Sequence, residues 1–386
     1  MELDLIQSLA AYSIGWLALF ALSRALRLKE RGISVGPFYL SYRTRAFNSL
    51  LEAISRRGSK LWRAFFSVGA ALGIGMMAFI IYRLAMNAGL LAYRAERADR
   101  VTVLVPGITV GFESMPYLLL AIAVLVVTHE ASHGVASLLE GVKPKSVGAF
   151  LAYIIPGAFV ELDEKELGRL SWRPKLRIFA AGSSTNICLA LVFLTLLSNF
   201  PATIYPLYST EPSGVLVTEI VEGGPAEEAG VRSWDVIFSI NGTRIWDPSA
   251  LRSCLSAAKP GSVLIATTDR GNFPILTRAH PLNSSRATIG IYPFPFFEPR
   301  IPFAPKELPY RLLIAENWLF MVLLNVALIN MLPMYPLDGD RYLDALLDAI
   351  GIRKKREIRM AASIACAGLL FANLALSYMN FGLFKF

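Results

Sequence analysis

The stretch Thr128-His129-Glu130-Ala131-Ser132-His133 closes an uncharged run that begins near residue 115. On a helix, residues four apart share a face, so His129 and His133 can reach one metal ion, with Glu130 beside them to take a proton from a water. HExxH is that arrangement. The pattern also recurs by chance, and a lone histidine is often a satisfied core group. This chain, however, has only 3 histidines, and two of them stand here. An ionisable group at bilayer depth costs about 2.5–3.5 kcal/mol. Three of them together in so apolar a run point to a metal site.

Two histidines leave a tetrahedral zinc short of a protein ligand. His280 stands in a polar segment and is a poor candidate. Asp338 ends a second apolar run, Asn330-Met331-Leu332-Pro333-Met334-Tyr335-Pro336-Leu337-Asp338-Gly339. The prolines there free backbone groups and can open the helix end around a water-filled site. Asp338 is the natural choice of third ligand; an aspartate is also common as a cap just past a helix end, and this motif by itself leaves that reading open. Asn186, in Gly182-Ser183-Ser184-Thr185-Asn186, also has two readings. It can steady an oxyanion or hold substrate backbone, or it can bond between helices where small residues let them approach.

The elements that must hold these residues are membrane helices. Of 386 residues, 54% are hydrophobic and 17% charged, which excludes an ordinary soluble domain. The 3 cysteines form no CxxC pair, so neither a disulfide framework nor a thiolate zinc site is indicated. The net charge of +9 sits beside apolar segments without aromatic interleaving, and is read as topology and headgroup contact with no nucleic-acid partner. Windows able to cross a ~30 Å hydrocarbon core fall at residues 5–23, 64–82, 115–128 continuing towards 139, 178–197, 317–337 and 360–384. The first follows Glu2 and Asp4 without a basic region and reads as an uncleaved anchor.

Between the first two windows lie Arg24, Arg27, Lys29, Arg31, Arg43, Arg45, Arg56, Arg57, Lys60 and Arg63 against Glu30 and Glu52, which marks that loop as cytosolic. Six crossings then bring His129 and Asp338 to the same cytosolic face and put the segment between the fourth and fifth windows outside. The apolar stretch 148–160 is short and broken by Pro156-Gly157, so a re-entrant or interfacial hairpin is expected. The outside segment alternates β-branched residues, offers a short helix start at residues 225–230 and a hairpin at Asn241-Gly242. It resembles a PDZ domain of the type found in membrane proteases, with Trp234 where a glycine usually precedes the aspartate. Ser213-Gly214-Val215-Leu216 is the expected carboxylate-binding loop if a peptide end adds as a strand; a spacer or lid that binds nothing is the other reading.

Taken together, the chain resembles the site-2 protease family of intramembrane zinc metalloproteases, on the branch of the animal sterol-pathway enzyme. The motifs are the HExxH at His129–His133, NxxPxxxLDG from Asn330 to Gly339 and GxxxN from Gly182 to Asn186, supported by runs beginning at Gly36, Ile154 and Leu176. The animal enzyme's long cysteine- and serine-rich insertions are absent. The resemblance implies one Zn2+ held by His129, His133 and Asp338, with Glu130 as general base and acid. It also implies single-span membrane protein substrates already trimmed outside. The expected fold is an α-helical polytopic membrane protein of about six spans with a small inserted PDZ-like α+β domain. Its divisions are residues 1–114 (first helix pair and basic loop), 115–208 (first part of the protease core), 209–286 (PDZ-like domain), 287–345 (second part of the core) and 346–386 (last helix). A prokaryotic, archaeal-type cell membrane is the expected location. A metal transporter would show more ionisable groups along a path and repeated spans, and a non-catalytic scaffold would have lost Glu130 or a ligand.

Overall fold

The structure, a computed structural model, describes residues 5–382 except 27–28, 30–31, 37, 45, 106–108, 153–154 and 282; for 5–12, 152 and 155–156 it describes the backbone alone. Arg27, Arg31, Arg45 and Glu30 of the basic loop, Ile154 at the expected hairpin and the last residues of the sixth window therefore lie outside the described residues.

In chain order the elements are α1 (Leu5–Ala25), β1 (Ile33–Gly36), β2 (Tyr39–Thr44), α2 (Asn48–Arg56), α3 (Ser59–Ala92), α4 (Met115–Leu139), β3 (Pro144–Ala152), β4 (Ile155–Leu162), α5 (Glu164–Arg169) and α6 (Trp172–Ser198). There follow α7 (Phe200–Ile204), β5 (Tyr208–Ile220), α8 (Pro225–Glu228), β6 (Val236–Ile240), β7 (Thr243–Arg244), α9 (Pro248–Ala257), β8 (Val263–Thr268), β9 (Gly271–Leu276), β10 (Arg278–His280), β11 (Asn283–Thr288) and β12 (Ile291–Pro299). The chain closes with α10 (Leu308–Asn330), α11 (Asp338–Ala349) and α12 (Lys355–Phe381). Contacts divide it into one unit of residues 1–191 with 318–386 and another of 192–317, the division falling within α6 and α10.

Among the described residues five helices, α3, α4, α6, α10 and α12, are long and apolar enough to cross a membrane, and residues 13–25 of α1 form a shorter apolar helix. With no water in the bilayer core, a helix satisfies its own backbone, which is why these uncharged runs fold this way. The fifth window needs correction. Its helix runs Leu308–Asn330, not 317–337. Residues 331–337 leave the helix because Pro333 and Pro336 supply no N–H, and a new helix, α11, starts at Asp338.

In the first unit, small residues let helices touch. A Cβ on Gly69 would strike Ser184, and one on Gly73 would lie 2.7–2.8 Å from the Tyr342 ring. Tyr342 is fully buried and donates to the Ala70 carbonyl, which ties α11 to α3. Asp340 accepts from Arg359, so α11 is also tied to α12. The hairpin expected at 148–160 is formed by β3 and β4. It belongs to a larger antiparallel sheet, ordered β1-β2-β3-β4, that the basic loop helps to build. Sequence patterning had left that loop without strands. β4 is the sheet's edge and packs against α4.

The second unit is a sheet ordered β12-β5-β6-β8-β9, with β7 on β6 and a separate β10–β11 pair. It is wider than 209–286 because β12 is the strand that pairs with β5. Asn241 and Gly242 turn β6 into β7 with φ values of 49° and 80°, the left-handed pair a two-residue hairpin needs. Trp234 occupies a left-handed φ of 73° and packs near Tyr310, so the missing glycine leaves its conformation in place at a cost in strain. Ser213–Leu216 is not a loop. It lies inside β5, paired to β12 on one side and, at Val215 and Leu216, to β6 on the other. Both edge strands carry proline: Pro274 in β9, and Pro293, Pro295 and Pro299 in β12.

Candidate metal centre

Four elements of the first unit, α4, α6, α11 and β4, converge on the site. α4 carries His129, Glu130 and His133 two turns before its end. That end is fixed: Gly141 takes a left-handed φ of 84°, Val142 N–H donates to the Ser137 carbonyl, and Arg63 donates to the Leu139 carbonyl at 2.7 Å. Arg177 grips the Glu140 carboxylate with two bonds of 2.8 Å. α11 presents Asp338 as its first residue. Gly339 is required there, since a Cβ would collide with the carbonyl oxygens of Met331 and Leu332.

His129 Nε2 lies 3.0 Å and His133 Nε2 3.1 Å from Asp338 Oδ2, and the two Nε2 atoms are 3.2 Å apart. Tetrahedral zinc bonded at ordinary lengths separates its ligand atoms by about 3.3 Å. The donor set of two imidazoles and one carboxylate therefore fits zinc in both chemistry and spacing. Among the described residues this trio forms a group able to hold a metal. His133 Nδ1 donates to the Ile178 carbonyl at 2.7 Å, which leaves its Nε2 lone pair facing the metal position.

The fourth chemical group is oriented by backbone. Glu130 Oε2 accepts from the Val160 N–H at 2.9 Å, across from β4. Glu130, His133 and Asp338 line one cavity of roughly 530 Å³ together with Phe159, Val160 and Arg341. Asn186 is elsewhere. It is fully buried on α6, with its amide nitrogen 3.0 Å from His129 Nδ1 and its oxygen 3.2 Å from the Thr128 hydroxyl. His280 stands in β10 of the other unit. The sequence brought forward every side chain of the trio. It did not bring forward the Ile178 carbonyl or the Val160 N–H, because backbone groups have no residue signature; only the closeness of the apolar stretch at 148–160 to the histidine helix hinted at the second.

Fold and site together define an integral membrane protein with a candidate three-donor metal site between two helices and beside an edge strand. The profile of peptidase family M50 matches residues 117–376, and the chain belongs to this family of intramembrane zinc metalloproteases. It is similar to a membrane-bound transcription factor site-2 protease homolog of Arabidopsis thaliana, 27% identical over 217 residues, 55% of this chain and 41% of that protein. The chain thus spans about two fifths of that relative. An uncharacterized protein of Methanocaldococcus jannaschii is 25% identical over 353 residues, 90% of this chain and 87% of that one. A probable periplasmic serine endoprotease DegP-like of Chlamydia muridarum is 43% identical over 61 residues, 16% of this chain and 12% of that one.

Proposed function

We propose that this chain is an intramembrane zinc endopeptidase that cuts a peptide bond within or near the transmembrane helix of a single-span protein. The observation that carries the reading is the convergence of His129, His133 and Asp338 beside a carboxylate, Glu130, in one cavity. Zinc held by these three groups would polarise the scissile carbonyl and ready a water for attack at neutral pH. Glu130 takes the proton from the attacking water and returns it to the leaving amine. The Val160 N–H keeps one oxygen of that carboxylate occupied, so the other faces the reacting atoms.

A substrate helix hides its carbonyls in hydrogen bonds and must unwind before attack, which glycine, proline or asparagine makes easier. The edge of β4 suits the unwound strand. Val160 N–H points away from β3, so by alternation those of Ala158 and Leu162 do too and are open to a pairing backbone. Residues 24–63 are cytosolic in this reading, α1 completes six spans with its N-terminus outside, and the metal centre lies towards the cytosol. The segment carrying β5 to β12 is then outside, in a prokaryotic cell membrane, where a PDZ-like unit excludes substrates with bulky untrimmed ectodomains. Proline on both edges of its sheet favours this spacer role over strand addition.

The test uses purified full chain and a model single-span substrate, with bound zinc quantified. Cleavage by the wild type, zinc retained but cleavage lost in Glu130→Gln, and zinc weakened in Asp338→Asn are expected. Normal zinc in every variant with no cleavage by the wild type would return the transporter or scaffold reading.

A further inference from the structure

We infer that Asn186 is a positioning residue: its amide selects the tautomer of His129 that can ligate metal. The inference rests on the metal-centre reading above. α6 serves both histidines from one face, at positions spaced by four. The Ile178 carbonyl holds His133 Nδ1, Gly182 makes room for the His129 ring, and Asn186 reaches His129 Nδ1. A Cβ on Gly182 would lie 2.5–2.6 Å from three atoms of that ring. The GxxxN spacing therefore builds a fitted seat for one imidazole.

His129 can offer Nε2 to a metal only when its proton is on Nδ1. Nδ1 then donates, and the amide atom facing it must be the oxygen. The two ends of an amide are alike in shape, and a half turn of the Asn186 side chain puts the oxygen there. The nitrogen then faces Thr128 Oγ1. That hydroxyl is ready to accept, because its own proton already goes to the Val124 carbonyl at 2.8 Å. The Thr128 hydroxyl, one Asn186 N–H and the His129 Nδ1–H each have an acceptor in this arrangement. With the nitrogen facing Nδ1 instead, the proton sits on Nε2 and is shared with Asp338 Oδ2 at 3.0 Å, closing His129 to metal. Asn186 is 0% exposed, and both ends of its amide are taken up by His129 and Thr128.

The experiment strips the purified full chain of metal and titrates it with Co2+, whose visible spectrum reports ligand number and geometry, with a thermal melt on each variant. Asn186→Leu keeps the volume and loses the acceptor; its Co2+ affinity falls about 10–100-fold with an altered spectrum. Asn186→Asp keeps an acceptor for Nδ1–H and stays within about threefold of wild type, which a purely packing role would not reproduce. Equal Co2+ affinity and spectrum in Asn186→Leu and wild type overturn the inference while leaving the metal centre in place. Wild-type Co2+ binding by His129→Ala removes the metal centre, and this inference with it.

Discussion

Gly182 sets the sharpest test of how the site is built. Replacing it by alanine puts a methyl 2.5–2.6 Å from Cε1, Nδ1 and Nε2 of His129, where carbon contacts normally sit at about 3.5–4.0 Å. The ring must retreat by about 1 Å, whereas metal-ligand distances tolerate only about ±0.2 Å. His129 Nε2 would leave its place 3.0 Å from Asp338 and 3.2 Å from His133. The fold, by contrast, is nearly indifferent. Alanine in a helix gains about 1 kcal/mol over glycine, and overpacking costs about 1–3 kcal/mol, for a net loss of about 0–2 kcal/mol. Zinc affinity falls roughly 100-fold, about 2.7 kcal/mol. A zinc competition titration beside a thermal melt separates the two quantities. Gly89→Ala, where a Cβ meets nothing within 4 Å, is the control and leaves zinc affinity unchanged. Wild-type zinc affinity in Gly182→Ala would refute the claim that this glycine seats the imidazole.

Further outcomes follow from other contacts. Val160→Pro removes the N–H that Glu130 accepts from but none that β3 uses, so zinc binding holds while kcat falls about 100-fold; a parallel loss of zinc would contradict the assignment. Gly339→Ala forces a Cβ onto two backbone carbonyls that cannot swing aside, and costs about 3 kcal/mol in thermal unfolding together with the zinc site. In the second unit, Arg270 holds buried Asp235 with two bonds of 2.6 Å, and Arg270→Ala leaves that carboxylate unpaired and destabilises the unit, read as faster limited proteolysis of the full chain. Burial works to raise the Asp235 carboxyl, but Arg270 and the Arg232 N–H bring it below the usual range. Its stabilisation is therefore complete above about pH 4 and is lost as pH falls through the lower folded value, an acid limb that Asp235→Asn abolishes.

What could be read from the sequence follows a physical line. Side chains with metal chemistry, and the uncharged runs that carry them, are visible because burial of such groups is costly and membrane helices need length. His129, Glu130, His133 and Asp338 fall in this class, as do α3, α4, α6 and α12. The end of α10 was misjudged because hydropathy continues through Met331, Leu332 and Met334 while Pro333 and Pro336 end the helix; the apolar signal outlasts the hydrogen bonding. The strands of the basic loop were missed because the short β1–β2 hairpin joins the sheet only through β2, whose partner β3 lies about a hundred residues on, and long-range pairing leaves little local pattern. Asn186 was seen, yet the sequence carried no sign that its amide stands 3.0 Å from His129 Nδ1, because that contact joins two helices.

Burying two imidazoles and two carboxylates among membrane helices is tolerable only if each has a partner. Here each has one: Asn186 for His129, the Ile178 carbonyl for His133, both Nε2 atoms for Asp338, and the Val160 N–H for Glu130. Two of those four partners are backbone atoms, which no side-chain exchange short of proline at Val160 removes and which stay in register as long as α6 and β4 stand. The arrangement also fixes the direction of approach. His129 is enclosed by α6, while Glu130, His133 and Asp338 face the cavity beside the β4 edge. By alternation along β4 the N–H groups of Ala158 and Leu162 point the same way as the one that Glu130 uses, and in the endopeptidase proposed above they would meet the substrate backbone. The same strand thus orients Glu130 and, in the proposed endopeptidase, would also align the scissile bond, so displacing β4 should disturb substrate register and proton transfer together.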